Sequence, residues 1–309
     1  MNSPMGAAGL PVAVPEIIDA FVHVQLPGED VVPIPRAALR DPDSLAHWPG
    51  TGLVDHLFAR DPDRRAREET SHSLERSLAE LDDNGIGRAL VVLPGNPSQQ
   101  VLDELAAHAD RLFVALRADP HEGMVAVRRI NELCRAYPMI RAISLSPHQL
   151  YPSIAPNSKE YYPIYAKCVE LDIAVYINVG FPGPRVPAAS QDPMALDEVC
   201  WFFPDLRVIM RHGGEPWTDV CAKLLLRWPN LYYATTAFAP KYYPRDILSL
   251  CNGRAPNKVI WAGYWPILSY QRLYTELAQL PLREHAWPRF LAGNAIEAFR
   301  LEPRAESSK

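Results

Sequence analysis

Little in these 309 residues suggests a disulfide framework, a membrane span or a nucleic-acid face. The five cysteines (134, 168, 200, 221 and 251) are odd in number, scattered and without a C-x-x-C pair. That argues against a secreted scaffold or zinc knuckle and for a reducing cytoplasm. Basic residues are in deficit, 31 against 36 acidic for a formal charge of −5, so there is no electrostatic reason to expect nucleic acid. No apolar run approaches the ~18 residues of a membrane span. The opening segment MNSPMGAAGLPVAVPEIIDAF has neither a charged start nor a clean cleavage site, so secretion is not expected. Sequence features common to dinucleotide-binding sheets are missing too, since no G-x-G-x-x-G follows any strand-like run.

What is abundant is proline, with 31 residues, about twice the usual ~5%. The prolines punctuate an alternation of two kinds of segment. Short β-branched or aromatic runs occupy 16–24, 88–94, 112–117, 140–145, 173–179, 206–212, 231–237 and 258–263. Between them lie stretches with apolar residues at helical spacing, as in Leu74, Leu78 and Leu81. The runs are nearly all apolar, as strands covered on both faces must be. Eight strands, each followed by a helix, predict a distorted (β/α)8 barrel over residues 16–301. A doubly wound open sheet is the alternative. Pro163 is compatible with a helix only if the helix begins there.

Residues 24–70 break the rhythm. This Pro-, Asp- and Arg-rich insertion leaves the C-terminal end of the first strand, where barrel enzymes hold their active sites, and is read as a lid. Residues 1–15 are expected to be extended or disordered, and 302–309 to be a frayed tail. The basic run Asp63-Arg64-Arg65-Ala66-Arg67 is short and flanked by acids, so it reads as an exposed face.

Strand ends that converge on one mouth select the candidate site residues. The first strand ends at Phe21-Val22-His23, the fifth at Asn178, the sixth at Arg211-His212-Gly213-Gly214-Glu215 and the eighth at Tyr264-Trp265. His23 and His212 suit general acid or base work. Tyr264 suits proton donation and Asn178 the holding of an oxyanion. Arg185, on the loop after the fifth strand, suits a two-pronged grip on a carboxylate. Arg211, beside His212, is expected on the opposite face of its strand, pairing outside the barrel. Glu215 is either a second acid/base or a charge at a helix start. His148 opens from the fourth loop toward the mouth, while His47, His56 and His72 fall in or beside the insertion and read as solvated. Phe21 and Trp265 complete a substrate-contacting set.

The motifs IDAFVHV, AVYINVG, RHGGEPW, AGYWP and FLAGNAIEAF, in that order, resemble those of the amidohydrolase-related proteins, family 2 of the amidohydrolase superfamily. The resemblance implies a (β/α)8 barrel, metal-dependent hydrolysis or decarboxylation of small acids, and a homodimer. The pattern departs at the chemical positions. Phe21 stands where a metal-binding His is implied, Asn178 replaces another His and Tyr264 replaces an Asp, leaving His23 and His212. Two imidazoles hold a divalent ion weakly, because a catalytic site normally keeps three protein ligands and an open position. The expectation is therefore no metal or other cofactor, a weakly held divalent ion at His23/His212 being the lesser option. The predicted partner is a small organic acid or ester, with no nucleic acid and no membrane. The alternative is a non-catalytic barrel that binds a metabolite or a partner enzyme.

Overall fold

The computed structural model describes residues 9–24, 26, 34–48, 61 and 63–303. Eight strands run in chain order around one sheet: β1 Ile18–Val22, β2 Arg88–Leu93, β3 Leu112–Arg117, β4 Ile140–Leu145, β5 Ala174–Asn178, β6 Val208–Arg211, β7 Leu231–Ala234 and β8 Val259–Ile260. All seven neighbouring pairs are parallel. β8 is short, and the ring closes through single contacts. Tyr264 N donates to Phe21 O at 3.2 Å, His23 N to Trp265 O at 2.8 Å, and Val22 bridges Trp265. The predicted barrel is the observed fold.

Helices separate the strands: α1 Pro42–His47, α2 Arg64–Ser71, α3 Leu74–Asp83, α4 Gln99–Ala106, α5 Met124–Ala136, α6 Tyr162–Glu170, α7 Ala195–Phe202, α8 Thr218–Arg227, α9 Arg245–Cys251, α10 Tyr270–Leu277 and α11 Asn294–Phe299. Local chemistry sets several starts. Ser73, Ser98 and Ser269 accept from the backbone N–H three residues on, capping α3, α4 and α10. Pro163 lies in the first turn of α6, where its missing N–H is no loss.

Two apolar layers follow from period-2 alternation. Outward residues such as Val114, Ile143, Val175 and Met210 pack against the helices. Inward residues such as Leu90, Phe113, Ala142, Ala174, Tyr176 and Ile209 fill the barrel, which α11 plugs with Ala295, Ala298 and Phe299. All five cysteines are free thiols, and four are fully buried. Among the described residues no helix is long and apolar enough to cross a membrane.

The described parts of the insertion are fastened to loops at the C-terminal ends of three strands. Arg40 Nη2 donates to Tyr151 Oη after β4 at 3.3 Å. Arg185, after β5, pairs with Asp41 at 2.9 Å and Asp43 at 3.0 Å. Arg67 Nε and Nη2 donate to the carbonyls of Pro266 and Ile267 after β8, at 2.9 and 3.1 Å. His56 lies outside the described residues.

Candidate active site at the barrel mouth

The inward register that ends in apolar residues at the barrel floor ends in polar ones at the mouth. β3 continues Phe113, Ala115, Arg117; β4 continues Ala142, Ser144; β5 continues Ala174, Tyr176, Asn178; and β6 continues Ile209, Arg211. Neighbouring strands set Asn178 beside Arg211 and Arg117 beside Ser144. This corrects the expectation that Arg211 pairs outside the barrel. Ile209 and Arg211 share the inward face, and His212 is the residue that leaves the alternation. It has φ +68°, followed by Gly213 at +86° and Gly214 at +75°. Three successive left-handed residues turn the chain, so His212 also faces the mouth.

A similar irregularity acts in β1. The pairing with β2 shifts register between Asp19 and Val22, so Phe21 joins the inner cluster while Val22 packs outward. Phe21 is the hub of the site. Its ring centroid lies 4.8 Å from His23, 5.4 Å from His212 and 5.2 Å from Tyr264, with the Tyr264 ring stacked at 27°. The edge-to-face and offset arrangements suit the ring quadrupoles.

Beneath these rings lies the Arg211 guanidinium, 3% exposed. Nε donates to Asn178 Oδ1. Nη2 donates to Ser144 Oγ at 2.8 Å and Ser146 Oγ at 3.2 Å. Its carbon lies 4.7 Å from the Tyr176 ring centroid and 5.6 Å from that of Phe21. Every one of these acceptors is neutral, Nη1 enters none of the described hydrogen bonds, and no described carboxylate forms an ion pair with Arg211. A desolvated cation of this kind costs several kcal/mol. Burial accordingly pulls Arg211 down to about 10, with Arg117 adding repulsion.

Burial governs the histidines, and that positive charge adds to it. Burial first, then Arg211 and Arg117, lowers His23 to about 4. Burial and Arg211 hold His212 well below the ordinary imidazole range. His148 is lowered to about 4, mainly by burial, while its bond to Gln191 acts the other way. All three are neutral imidazoles at pH 7. His148 Nδ1 lies 2.7 Å from Gln191 Oε1, and Gln191 Nε2 donates to Gly180 O at 2.6 Å. Gln191 therefore presents an acceptor, so His148 carries its proton on Nδ1 and its lone pair on Nε2. His212 Nδ1 is 2.9 Å from Thr236 Oγ1, which also accepts the His212 backbone N–H at 2.7 Å. Burial raises the Tyr264 hydroxyl above its usual value, with Arg211 opposing.

The structure thus brings together His23, His212, Tyr264, Asn178, Phe21 and His148. It separates three other candidates. Trp265 is 1% exposed and packs with the outward residues between strands and helices, away from the inner cluster. Arg185 is 61% exposed, and its Nη1 alone donates to both Asp41 and Asp43 of the insertion, so its charge is engaged within the chain. Glu215 is exposed and precedes α8, which starts at Thr218. Its backbone carbonyl accepts from Phe181 N at 2.7 Å. Sequence reasoning missed Arg117, Ser144, Ser146 and Gln191. Counting inward positions from Phe113 and Ala142 was the available signal for the first two. Gln191, 13 residues beyond Asn178 in the chain, offered none.

A family model described as amidohydrolase matches residues 43–301. The chain belongs to the amidohydrolase family. A search of curated proteins gives no match. Among solved structures, an uncharacterized TIM-barrel protein, Bb4693 from Bordetella bronchiseptica, is 23% identical with a TM-score of 0.69, over 93% of this chain and 99% of that one. A 5-carboxyvanillate decarboxylase from Novosphingobium aromaticivorans, complexed with manganese and 4-hydroxy-3-methoxy-5-nitrobenzoic acid, is 18% identical with a TM-score of 0.61, over 97% and 100% of the two chains. A 2,6-dihydroxybenzoate decarboxylase from Rhizobium is 12% identical with a TM-score of 0.62, over 93% and 99%. These likenesses are of fold.

A manganese-type ion does not fit the residues at this mouth. Phe21 offers no lone pair, Asn178 Oδ1 already accepts from Arg211, and a guanidinium lies among the rings where a second cation would be repelled. Among the described residues no group of three or more His, Cys, Asp or Glu side chains is placed to share an ion.

Proposed function

We propose that this amidohydrolase-family chain is an enzyme acting, without a metal ion, on a small organic acid, ester, lactone or thioester-linked acid, with His23 and His212 as its base and acid. The observation that carries the reading is the convergence of two neutral imidazoles on Phe21 and Tyr264, with the buried Arg211 guanidinium 5.6 Å from the Phe21 ring centroid. A neutral imidazole accepts a proton from water or substrate. Once protonated beside Arg211 and Arg117 it becomes a strong acid, which favours prompt delivery to a leaving group or to carbon.

For hydrolysis, one histidine takes the proton of water as hydroxide adds to the acyl carbon, and the imidazolium returns it to the departing oxygen or sulfur. For decarboxylation, one histidine takes the proton of the bound carboxylic acid, and as the carbon–carbon bond breaks and carbon dioxide leaves, the resulting imidazolium delivers that proton to the carbon. In both, negative charge develops on a substrate oxygen. The Tyr264 hydroxyl and the Asn178 amide N–H serve as donors to it. His148, held by Gln191, offers Nε2 as a further acceptor. The fold relatives that are decarboxylases of hydroxylated benzoates support the small-acid class.

The test is turnover by chelator-dialysed protein on a panel of carboxylates, esters, lactones and thioesters, with carbon dioxide and acid release followed separately. Turnover should survive dialysis. His23→Ala and His212→Ala should each lose ~10²- to 10⁴-fold in kcat. A stoichiometric ion whose removal abolishes turnover overturns the metal-free mechanism. Ligand binding with no turnover, unchanged in either variant, instead supports a non-catalytic metabolite-binding barrel, the reading favoured by replacement of Phe21, Asn178 and Tyr264.

A further inference from the structure

We infer that Arg211 is the cation of this site, an organic replacement for a metal, and that its Nη1 edge receives the oxyanion of a planar carboxylate. The inference rests on the proposed function for its reaction but not for its binding chemistry. Three observations carry it. The guanidinium is 3% exposed, yet among the described residues each hydrogen-bond acceptor it has is a neutral oxygen: Asn178 Oδ1 and the hydroxyls of Ser144 and Ser146. Those bonds fix Nε and Nη2 and leave Nη1 out, so one edge is clamped by the barrel wall while another remains to donate. The aromatic faces of Tyr176 and Phe21, 4.7 and 5.6 Å from its carbon, hold its plane without neutralising it.

The replacement is concerted across two strands. Asn178 stands where the resemblance implies a histidine ligand, and it sits in register with Arg211 on the next strand. An imidazole coordinating an ion and an amide accepting from a guanidinium do equivalent work, orienting a cation. Phe21 lies 5.6 Å from the guanidinium carbon at a position where the resemblance implies a ligand. A fixed guanidinium and stacked rings at Phe21 and Tyr264, 5.2 Å apart and 27° from parallel, favour a flat anion over a tetrahedral one.

The experiment is calorimetric titration of the full chain, with chelator present throughout, against benzoate, its neutral isostere benzamide, and inorganic phosphate. Benzoate should bind at least 10-fold tighter than benzamide and phosphate. Arg211→Met should reduce benzoate affinity at least 30-fold while leaving benzamide within 3-fold, and Arg211→Lys should recover part of the loss. His23→Ala should retain benzoate binding even where it abolishes turnover. If Arg211→Met does not fold, the wild-type comparison decides alone: equal affinities for benzoate and benzamide overturn the inference. So does manganese or zinc binding at one equivalent per chain in chelator-free buffer. Benzoate selectivity with no turnover on any substrate sinks the enzyme reading and leaves this one standing. Turnover dependent on both histidines, with benzoate and benzamide bound alike, does the reverse.

Discussion

Asp19 is sealed beneath the mouth, where Phe21 N at 3.0 Å, Gly263 N at 2.7 Å and the Tyr270 hydroxyl at 2.8 Å all donate to its carboxylate. Burial outweighs these donors and raises it from 3.8 to about 6. The folded protein therefore holds this proton more tightly than the unfolded chain, and the stability Asp19 contributes is greatest below pH 3.8 and declines as pH rises to about 6. The size is about 3 kcal/mol by linkage. Asp19→Asn keeps one carbonyl oxygen for the two N–H donors, and Tyr270 can turn its hydroxyl to accept. Urea unfolding at pH 4 and pH 7 should then show the wild type losing stability relative to the variant on going to pH 7. His23 works in the opposite sense. Its pKa is depressed from 6.5 to about 4, so its contribution is intact above pH 6.5 and lost as pH falls toward 4. The acidic limb of kcat/KM should accordingly lie near pH 4 rather than 6.5, and Arg211→Met should raise that limb only as far as the lost charge contributes, burial being the larger cause. A limb that stays near 6.5 in the wild type contradicts the buried-base assignment. His23, His212, Tyr264 and Asn178 were readable because strand-end motifs pointed to them. Arg211 was misread because its neighbour His212 was assumed to keep the strand's alternation.

At the level of elements, the turn after β6 decides where His212 goes. A Cβ on Gly213, at φ +86°, would lie 2.2 Å from Phe238 Cε2, and one on Gly214 would lie 2.6 Å from Cys221 Sγ. Gly213→Ala should therefore cost on the order of 1–3 kcal/mol in strain alone, displace His212 and lower kcat by more than it raises KM. Its thermal denaturation and kinetics, measured side by side, check both effects. Phe21→Ala leaves a void under four rings and should destabilise by about 3–5 kcal/mol, readable in chemical denaturation. The order of strands and helices was legible because burial on both faces and on one face leave different periodicities. The shift in β1 pairing that brings Phe21 inward was not, since an irregular register leaves no periodic trace. Pro163 is the converse case, a single residue whose chemistry allowed only one helix start.

For the whole molecule, the described parts of the insertion are held at one end of the barrel by arginine contacts. Arg40, Arg67 and Arg185 tie its described parts to the loops after β4, β8 and β5, all at the end of the barrel that holds the candidate site. The described parts of the insertion are thereby fastened to that end of the barrel. Arg40→Ala with Arg185→Ala should speed proteolytic cleavage within 24–70 and raise KM while leaving the thermal midpoint of the barrel nearly unchanged, because exposed polar contacts contribute little to global stability. Equal cleavage rates in the variant and the wild type would contradict a tethering role for these contacts.

The amino-acid order by itself determined the barrel and the family, because each is written in local residue types: apolar period and strand-end motif. Tertiary structure alone decided that Arg211 faces inward beside Asn178, that Arg185 is engaged by the insertion, and that three histidines are neutral. Those outcomes depend on which strands are neighbours and how far water is excluded, quantities that exist only once segments separated by tens of residues have packed together.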